Sequence, residues 1–342
     1  MTVARDFANN NKLTDYTDQV LLIPNEYGMI NRMGLFTSKG ITQNSTTFDR
    51  TVESLAVLSD KTRGERQNYG KDGDNKTHGA AVPHFPLDDF ITVDDVQGVR
   101  RNGTADQAET VANVRATKLE RIRKSHGATV EKARMEAIMG KLYNPNGTSN
   151  VTNWYTEFGV TPKVISSELD QAGTDVIAVN EEGIAHIQDN IGDGNQVDDV
   201  IVLCSPTYFA ALISQEGVVE AYRSYLNSNQ AGGGQVARDR IVSGMNRTLN
   251  HGGATYVEYR ASYGGIPLIP AGEAYMVPMG VDGLFESQFS PAYKLSLANT
   301  IGEELYVFET EMGNDTGWKL ESESSHIHIP KRPEAVVKFT LT

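Results

Sequence analysis

The sequence predicts a mixed α+β protein, and three features of its patterning lead to that prediction. One long amphipathic helical segment runs through 104–142, strand-like apolar runs lie on both sides of it, and 32 glycines and 12 prolines are scattered along the chain. Scattered turn formers separate short strands, whereas apolar residues at helical spacing are typical of a helix packed along one face. With 342 residues, the chain is long for one simple core and short for three domains.

The composition argues against several classes of protein. The formal net charge is -13, and phosphate binding requires clustered Lys and Arg, so the chain is not expected to wrap nucleic acid. Cys204 is the single cysteine, which excludes an internal disulfide and fits synthesis in a reducing cytosol. Its strand-like surroundings predict a buried core thiol. We find neither a secretory signal at the amino terminus nor an apolar run of the ~20 residues that a membrane span needs.

The first segment, 1–45, is polar and rich in Asn and Thr. Its apolar patch, Val20–Ile23, is too small to close a core, so the segment is expected to pack on another surface or stay mobile.

An extended β-hairpin is predicted next, within 46–100. The strand-like runs are Thr51–Leu58 and Phe90–Val96, and the very polar stretch 60–79 between them carries several glycines. A lone two-stranded hairpin is marginally stable in water, and its exposed edges invite pairing with another chain. We therefore expect the hairpin to lie across a second copy of the molecule.

The strongest helical pattern follows at 104–142, where Thr104 with Asp106 and Gln107 resembles a capping start. The predicted apolar stripe is Ala112, Leu119, Ile122, Val130, Ala133 and Ala137, and the predicted charged face is Arg115, Arg121, Arg123, Lys124, Glu131, Lys132 and Glu136. Gly127 is a candidate for a bend, and Asn144–Gly147 is expected to end the helix. A continuous helix here is roughly 55 Å long at ~1.5 Å per residue. Its basic run Lys118–Lys124 is interpreted as a solvated or ion-paired face, with a contact to DNA or a scaffolding protein as the alternative.

A mixed α/β body completes the chain. Helices are predicted at 174–190, from Pro206 through Ile213, and at 216–226; strands are predicted at 199–204, 254–259, 266–269, 274–277, 305–309, 317–329 and 335–341. The Gly-rich stretch Gly232–Gln235 lacks the Gly-Lys-Ser/Thr ending of a phosphate loop and is interpreted as a flexible connection.

Three stretches carry a resemblance to a known family. They are Lys132–Tyr143, Asp199–Leu212, and Tyr263–Pro270 with Ala274–Gly280 and the tail Lys331–Thr342. They resemble the spine helix with its exit, the strand followed by a proline and an aromatic-bearing helix, and the closing strands of tailed-bacteriophage major capsid proteins, specifically the family of phage lambda's head protein E. The resemblance runs over most of the chain from about residue 50 onwards.

The resemblance implies the tailed-phage and herpesvirus major capsid fold (the Johnson fold). Its parts would be an N-terminal arm at 1–45, an extended loop at 46–100, the spine helix with part of the peripheral domain at 101–174, an axial domain with peripheral returns at 175–300, and C-terminal peripheral strands at 301–342.

The resemblance also implies a function and a set of partners. The chain would be a structural head protein that forms pentamers and hexamers of an icosahedral shell around double-stranded DNA, with expansion from procapsid to mature head. The expected partners are a separate scaffolding protein, a decoration or cementing protein and a portal. Assembly would take place in the bacterial cytoplasm, and the product would be the virion. The alternatives are another virion protein, such as a tail tube or connector, and a hydrolase that uses paired aspartates.

Eight residues are the candidates for contacts between subunits: Arg63, Arg66, Lys71, Lys76, Asp88, Asp89, Asp94 and Asp95. The aspartate pairs suit acid/base chemistry, but beside a solvated hairpin they are interpreted as surface charges or ion-pair partners. Lys71 and Lys76 are candidate isopeptide donors that nothing marks as reactive.

His326 and His328 place two imidazoles on one face of a strand. A zinc site needs further ligands, and no third ligand is evident nearby, so ordinary strand positions are favoured. No catalytic, cofactor-binding or metal-binding residue is predicted, and no cofactor, so the chain is not expected to be an enzyme.

Overall fold

Two six-stranded β-sheets organise the chain, and each belongs to a different compact unit. The computed structural model describes residues 13–22, 28–52, 74–97, 110–142, 153–171, 173–191, 196–221, 247–263, 265–281 and 283–342. Unit 1 comprises Met1–Thr46, Gly79–Arg134 and Glu286–His328, and unit 2 comprises Thr47–His78, Met135–Phe285 and Ile329–Thr342.

The described elements confirm the α+β class. The strands are β1 Leu13–Asp15, β2 Phe36–Gly40, β3 Ser45–Val52, β4 Asp74–Ala81, β5 His84–Thr92, β6 Lys163–Ser166, β7 Asp199–Cys204, β8 Thr248–His251, β9 Ala254–Glu258, β10 Ser262–Tyr263, β11 Ile266–Pro267, β12 Glu273–Met279, β13 Phe285–Phe289, β14 Tyr306–Glu311, β15 Gly317–Pro330 and β16 Val337–Thr340. The α-helices are α1 Thr17–Leu21, α2 Met29–Met33, α3 Val111–Ile138, α4 Trp154–Phe158, α5 Val176–Asn190 and α6 Pro206–Ser214, and residues 216–221 are also helical.

The sheet of unit 1 has the order β1-β14-β15-β13-β2, with β5 also paired to β15. One hydrophobic cluster of this unit is formed by Val20, Ile91, Leu119, Ile122, Leu305, Val307 and Leu320. Val20 comes from the apolar patch of the first segment, and β1 pairs with β14. The expectation that this patch packs on another surface is therefore confirmed for Val20. The described residues before 46 all belong to unit 1.

Helix α3 is continuous through Gly127 over its 28 residues, which is about 42 Å. The predicted capping start at 104–107 and the predicted stop at 144–147 lie outside the described residues. Two details of the predicted faces were wrong. Ala112 of the apolar stripe is exposed, whereas Arg123 and Glu131 of the charged face are buried, with Arg123 ion-paired to Glu304 as one interpretation of the basic run expected. Both buried side chains have polar partners in unit 1, which the helical spacing alone does not reveal.

Gly140 lies just beyond the end of α3, with a positive φ of 78°. A Cβ at this position would overlap the ring of Tyr155, which is buried. An L-residue is disfavoured in this left-handed backbone region, and the ring leaves no room for a side chain.

Replacing Gly140 with alanine is expected to lower the free energy of unfolding by about 2–4 kcal/mol, from backbone strain plus overpacking. The matched control is Gly159→Ala, because Gly159 also has a positive φ of 64° but no described atom lies within 4 Å of the added Cβ. For this control, chemical denaturation should show only the cost of backbone strain, which is a loss of about 1–2 kcal/mol in the free energy of unfolding. Equal losses for the two variants would contradict the steric part of the argument.

The hairpin prediction needs correction in its strands. The observed two-stranded sheet pairs β3 with β4, and the amide of Val82 donates to the carbonyl of Asn44 at 3.0 Å at its base. The second predicted strand, 90–96, instead begins within β5, which pairs with β15. It then turns at Val93–Asp95, because Thr92 and Asp95 form a capping box. The segment 53–73, with most of the predicted tip, lies outside the described residues.

The sheet of unit 2 has the order β6-β16-β12-β7-β9-β8, with parallel pairs β6–β16 and β7–β9. The predicted strand 199–204 and the helix opening at Pro206 are confirmed, and α5 confirms the helix at 174–190. Cys204 is fully buried at the end of β7, and burial raises the pKa of its thiol. The core-thiol prediction is therefore confirmed. The Gly-rich stretch 232–235 lies outside the described residues.

The strands predicted beyond 301 are all present, but they divide between the two sheets. β14 and β15 belong to the sheet of unit 1, whereas β16 pairs with β12 and β6 in unit 2. The predicted domain boundaries remain predictions.

Candidate functional site

The structure divides the eight predicted contact residues into two groups. Arg63, Arg66 and Lys71 lie outside the described residues, and Lys76 lies in β4, where only the backbone is described. Asp88 and Asp89 lie in β5, and Asp94 and Asp95 lie in the turn that follows it. Their role between subunits stays a prediction, and the aspartates are not on the hairpin.

Asp89 and Asp95 form ion pairs within the chain. The Lys118 ammonium lies 3.5 Å from Asp89 Oδ1 and 3.1 Å from Asp95 Oδ2. It also donates to the carbonyl of Phe90, and Arg121 pairs with Asp89. The ion-paired interpretation of the basic run is therefore confirmed for Lys118 and Arg121.

The pKa shifts of these aspartates follow from their partners. Burial alone would raise the pKa of Asp89, but hydrogen bonds from Arg121 and from the Phe90 amide, with the Lys118 charge, bring the pKa below its ordinary value. The Thr92 amide, which donates to Asp95, is the largest cause of that residue's lowered pKa. A carboxylic acid that delivers protons needs a raised pKa. These two groups are suited to holding β5 against α3 and not to proton donation.

Replacing Asp89 with asparagine is expected to cost about 1–2 kcal/mol of unfolding free energy, because two cations lose a partly buried carboxylate. The loss should shrink at high salt, where the charge interaction is screened. The control is Asp94→Asn, at an exposed position of the turn after β5, which we expect to change stability by less than about 0.5 kcal/mol. If Asp94 contacts another subunit, its variant will lower assembly without lowering subunit stability.

A second chain of charges runs along β15. Lys319 lies 3.0 Å from Asp88 and 2.8 Å from Glu321, and Glu321 also pairs with Lys294. Lys294 belongs to the loop that follows β13, so these charges hold that loop against the sheet.

That loop carries three large apolar side chains, here called the apolar loop surface: Tyr293, Leu295 and Ile301. They are 86%, 95% and 70% exposed. Leu297 of the same loop is buried, in a cluster with Ala292, Tyr306 and Phe308. Sequence reasoning predicted no element for this stretch. Its signal is a short alternation of apolar and polar residues, Tyr293 to Leu297, which has the period of a strand although residues 295–297 form a 3-10 turn.

A groove of about 1020 Å³ lies beside the apolar loop surface in unit 1. It is lined by Thr42–Ser45, Val82, His84, Ser290–Leu295, Ala298, Asn299 and Ser325. Asn44 and Val82 are the residues that close the base of the β3–β4 hairpin. The hairpin base and the loop therefore line one groove together.

A buried polar network lies between α3 and the sheet of unit 1. His126 Nε2 lies 3.0 Å from Ser322 Oγ, and His126 Nδ1 lies 2.8 Å from Ser324 Oγ. Ser322 Oγ donates its proton to the carbonyl of Leu87 at 2.6 Å. Ser322 must therefore accept from His126 Nε2–H, which leaves His126 Nδ1 to accept from Ser324.

His326 and His328 lie on the same face of β15, as predicted, and belong to a second buried group of hydrogen-bonded side chains. Their facing nitrogens lie 3.0 Å apart, and His328 Nδ1 lies 2.8 Å from Ser287 Oγ. Arg134 Nε donates to Ser287 Oγ at 3.3 Å. With Ser287 as donor to His328 Nδ1 and His328 Nε2–H as donor to His326 Nδ1, these two hydrogen bonds form with both imidazoles neutral, and His326 Nε2 is buried without a hydrogen-bond partner among the described residues.

The three imidazoles are held neutral by their surroundings. Burial and the Arg123 charge lower the pKa of His126 to about 4. Burial, with charge contributions from His126 and Arg134, lowers the pKa of His326 to about 3. Burial also places the pKa of His328 well below its ordinary value.

Glu131 binds the backbone at the start of α2. Its Oε1 accepts the Ile30 amide proton at 2.9 Å, and its Oε2 accepts that of Asn31 at 3.2 Å. The side chain is fully buried, and a Cβ at Gly28 would overlap its carboxylate. Only glycine permits this close approach.

Within the described ranges, we find no group of three or more His, Cys, Asp or Glu residues that could hold a metal ion. None of the helices in the described part of the chain is long and apolar enough to cross a bilayer.

Comparison with known families gives a match over nearly the whole chain. The family model described as phage major capsid protein E matches residues 12–341. The major capsid protein of Pseudomonas phage KPP10 is 39% identical, over 96% of this chain and 97% of its own length. That of Salmonella phage Felix O1 is 30% identical, over 95% of each chain.

Solved structures confirm the predicted fold. A protein described as the capsid protein of an E. coli CFT073 prophage superposes with a TM-score of 0.58 at 11% identity, over 95% of this chain and 99% of that one. The subunit of the bacteriophage PhiM1 mature capsid gives a TM-score of 0.51 at 13% identity, over 92% and 87%. At these identities the likeness concerns the fold alone, which is that of tailed-phage capsid proteins.

Proposed function

The chain belongs to the phage major capsid protein E family, and from this premise we propose that it builds the icosahedral head of a tailed phage as pentamers and hexamers around double-stranded DNA. One observation carries the proposal: a major capsid protein aligns at 39% identity over 96% of the chain. Because the match includes nearly every residue, the shell-forming role is inferred for the chain as a whole.

The physical requirements of a shell agree with this proposal. Contacts that repeat around five-fold and six-fold axes are heterologous, so each subunit needs two different complementary surfaces. The β3–β4 hairpin forms a sheet of only two strands, and such an element is suited to provide one of them. Expansion from a procapsid to a mature head needs two packings of similar energy, in which the hairpin changes partners.

We further propose that assembly in the bacterial cytoplasm uses a separate scaffolding protein, a portal, and a decoration or cementing protein on the finished head. The net charge of -13 supports a shell wall that encloses DNA without binding it. The role in the virion is structural, and we propose that the subunit has no catalytic activity. The lowered pKa values of Asp89 and Asp95 argue against the hydrolase alternative.

Electron microscopy and sedimentation of the chain expressed in bacteria test the proposal. We expect closed spherical particles or capsomers. Tubes or rings would favour a tail-tube or connector protein, and a monomer at every concentration would contradict any shell. Incubation of the purified chain with esterase, phosphatase and glycosidase substrates should yield no turnover, and turnover lost in an Asp89→Asn variant would revive the hydrolase.

A further inference from the structure

We propose that the apolar loop surface, Tyr293, Leu295 and Ile301, is a contact surface for a second copy of this chain. The inference rests on the proposed function and adds to it the residues that make one of the repeated contacts.

The loop exposes several large apolar side chains close together in the chain. Single apolar side chains on a protein surface are ordinary. Here three large ones, between 70% and 95% exposed, lie within nine residues of one loop. Large apolar side chains exposed this densely along one loop are typical of a surface that another protein covers.

The loop is held in place by its own subunit before any partner arrives. At its start, the Tyr293 amide donates to Glu323 at 2.7 Å, and Lys294 pairs with Glu321. Both carboxylates belong to β15, so the sheet fixes this end of the loop.

The middle and the far end of the loop are also anchored. Leu297 is buried beneath the loop, and the Gly302 amide donates to the carbonyl of Ile41 at 2.9 Å. A loop fixed at both ends presents its side chains without the entropy cost of ordering them on contact.

The charge of the loop suits a second copy as the occupant. Two copies that each carry a net charge of -13 repel one another unless they meet where carboxylates are absent or neutralised. Residues 290–302 contain no Asp or Glu, and their single charge, Lys294, is paired with Glu321. Two acidic copies are able to approach each other at this neutral surface.

The position of the loop beside the hairpin base also favours a contact with a second copy. The groove beside the loop is also lined by the base of the β3–β4 hairpin. An element of a second copy that covers the three side chains would therefore also lie near the root of the hairpin. In a heterologous contact, the covering element belongs to a different surface of the second copy.

The first experiment compares Leu295→Asp with Leu295→Met, both in the full chain. Aspartate places a charge at the contact, whereas methionine keeps the apolar volume. Comparing the two variants therefore separates the effect of a charge in the contact from the effect of changing the residue. We expect the aspartate variant to lower the assembled fraction about tenfold or more at equal concentration, as for a central contact residue. The methionine variant should assemble like the original chain. Because the side chain is exposed in the subunit, both variants should keep the original thermal unfolding midpoint.

The second experiment locates the partner. Cys204 is fully buried and is the single cysteine of the chain, so Leu295→Cys introduces one accessible thiol. A thiol-linked benzophenone on this residue, irradiated in assembled material, should yield covalent dimers of the chain. Peptide mapping of the dimer then identifies the covering element.

The outcomes separate the two proposals. If the unsubstituted chain stays monomeric, the shell function itself fails. If it assembles, and Leu295→Asp assembles equally well without dimeric cross-links, the function stands and this contact is wrong. Cross-links only to a different protein would assign the surface to a partner of another kind and would also overturn the inference.

Discussion

Acidification from about pH 7 to about pH 5 is expected to destabilise unit 1 by about 2 kcal/mol for each of His126 and His326, with a further loss in the same direction from His328. The three imidazoles are buried in unit 1 and are neutral in the folded chain. Protonation is therefore easier in the unfolded chain than in the folded one.

The lowered pKa values determine the direction in which stability changes with pH. An imidazole in an unfolded chain has a pKa of about 6.5, whereas burial lowers the pKa of His126 to about 4 and that of His326 to about 3. Below about pH 6.5 the unfolded chain therefore binds protons that the folded chain does not bind, and stability falls as the pH falls. The contribution of each group stops changing below its folded pKa.

The slope of unfolding free energy against pH is the measurement that isolates this effect. His126→Gln should reduce the slope between about pH 6 and pH 5 by about 1 kcal/mol per pH unit, because one titrating group with a folded pKa of about 4 is lost. Ser322→Ala is the control, since it disturbs the same buried network without removing an ionisable group. It should lower stability at every pH and keep the original slope. Parallel curves for the histidine variant and the original chain would contradict the prediction.

Replacing Glu131 with alanine is expected to destabilise the protein by about 3–5 kcal/mol, because two backbone amides lose hydrogen bonds to a carboxylate. The amides are those of Ile30 and Asn31, and the Glu131 side chain that accepts from them is fully buried. Glu131→Gln keeps an acceptor of similar shape and should lose about half as much.

Chemical denaturation measures the loss, and Glu120→Gln on the same helix is the control. Glu120 is exposed and pairs with Lys124 one turn away, so its variant should change stability by less than about 0.5 kcal/mol. Hydrogen exchange adds a local readout, since the Ile30 amide should lose protection in Glu131→Ala at conditions where the protein remains folded. A loss no larger than that of the control would refute the role of Glu131.

Local signals in the sequence determined several elements correctly. α6 begins where Ser205 caps the helix and Pro206 occupies its first turn, and Asp175 caps α5 in a similar way. These signals act over three or four residues, so they can be recognised without the rest of the fold. The resemblance to a capsid family likewise came from the order of elements and from local stretches.

The partners of the strands and the burial of polar groups were decided by tertiary structure. A strand pattern has the same period whatever its neighbour, so the sequence did not reveal that β5 pairs with β15 or that β16 leaves the sheet of β14. The sequence placed Glu131 on the charged face of α3 and did not reveal its burial, because the amides that it binds lie about a hundred residues away in the chain. The exposed loop at 293–301 was missed for the same reason: exposure is a property of what surrounds a residue, and those surroundings are assembled only when distant segments meet.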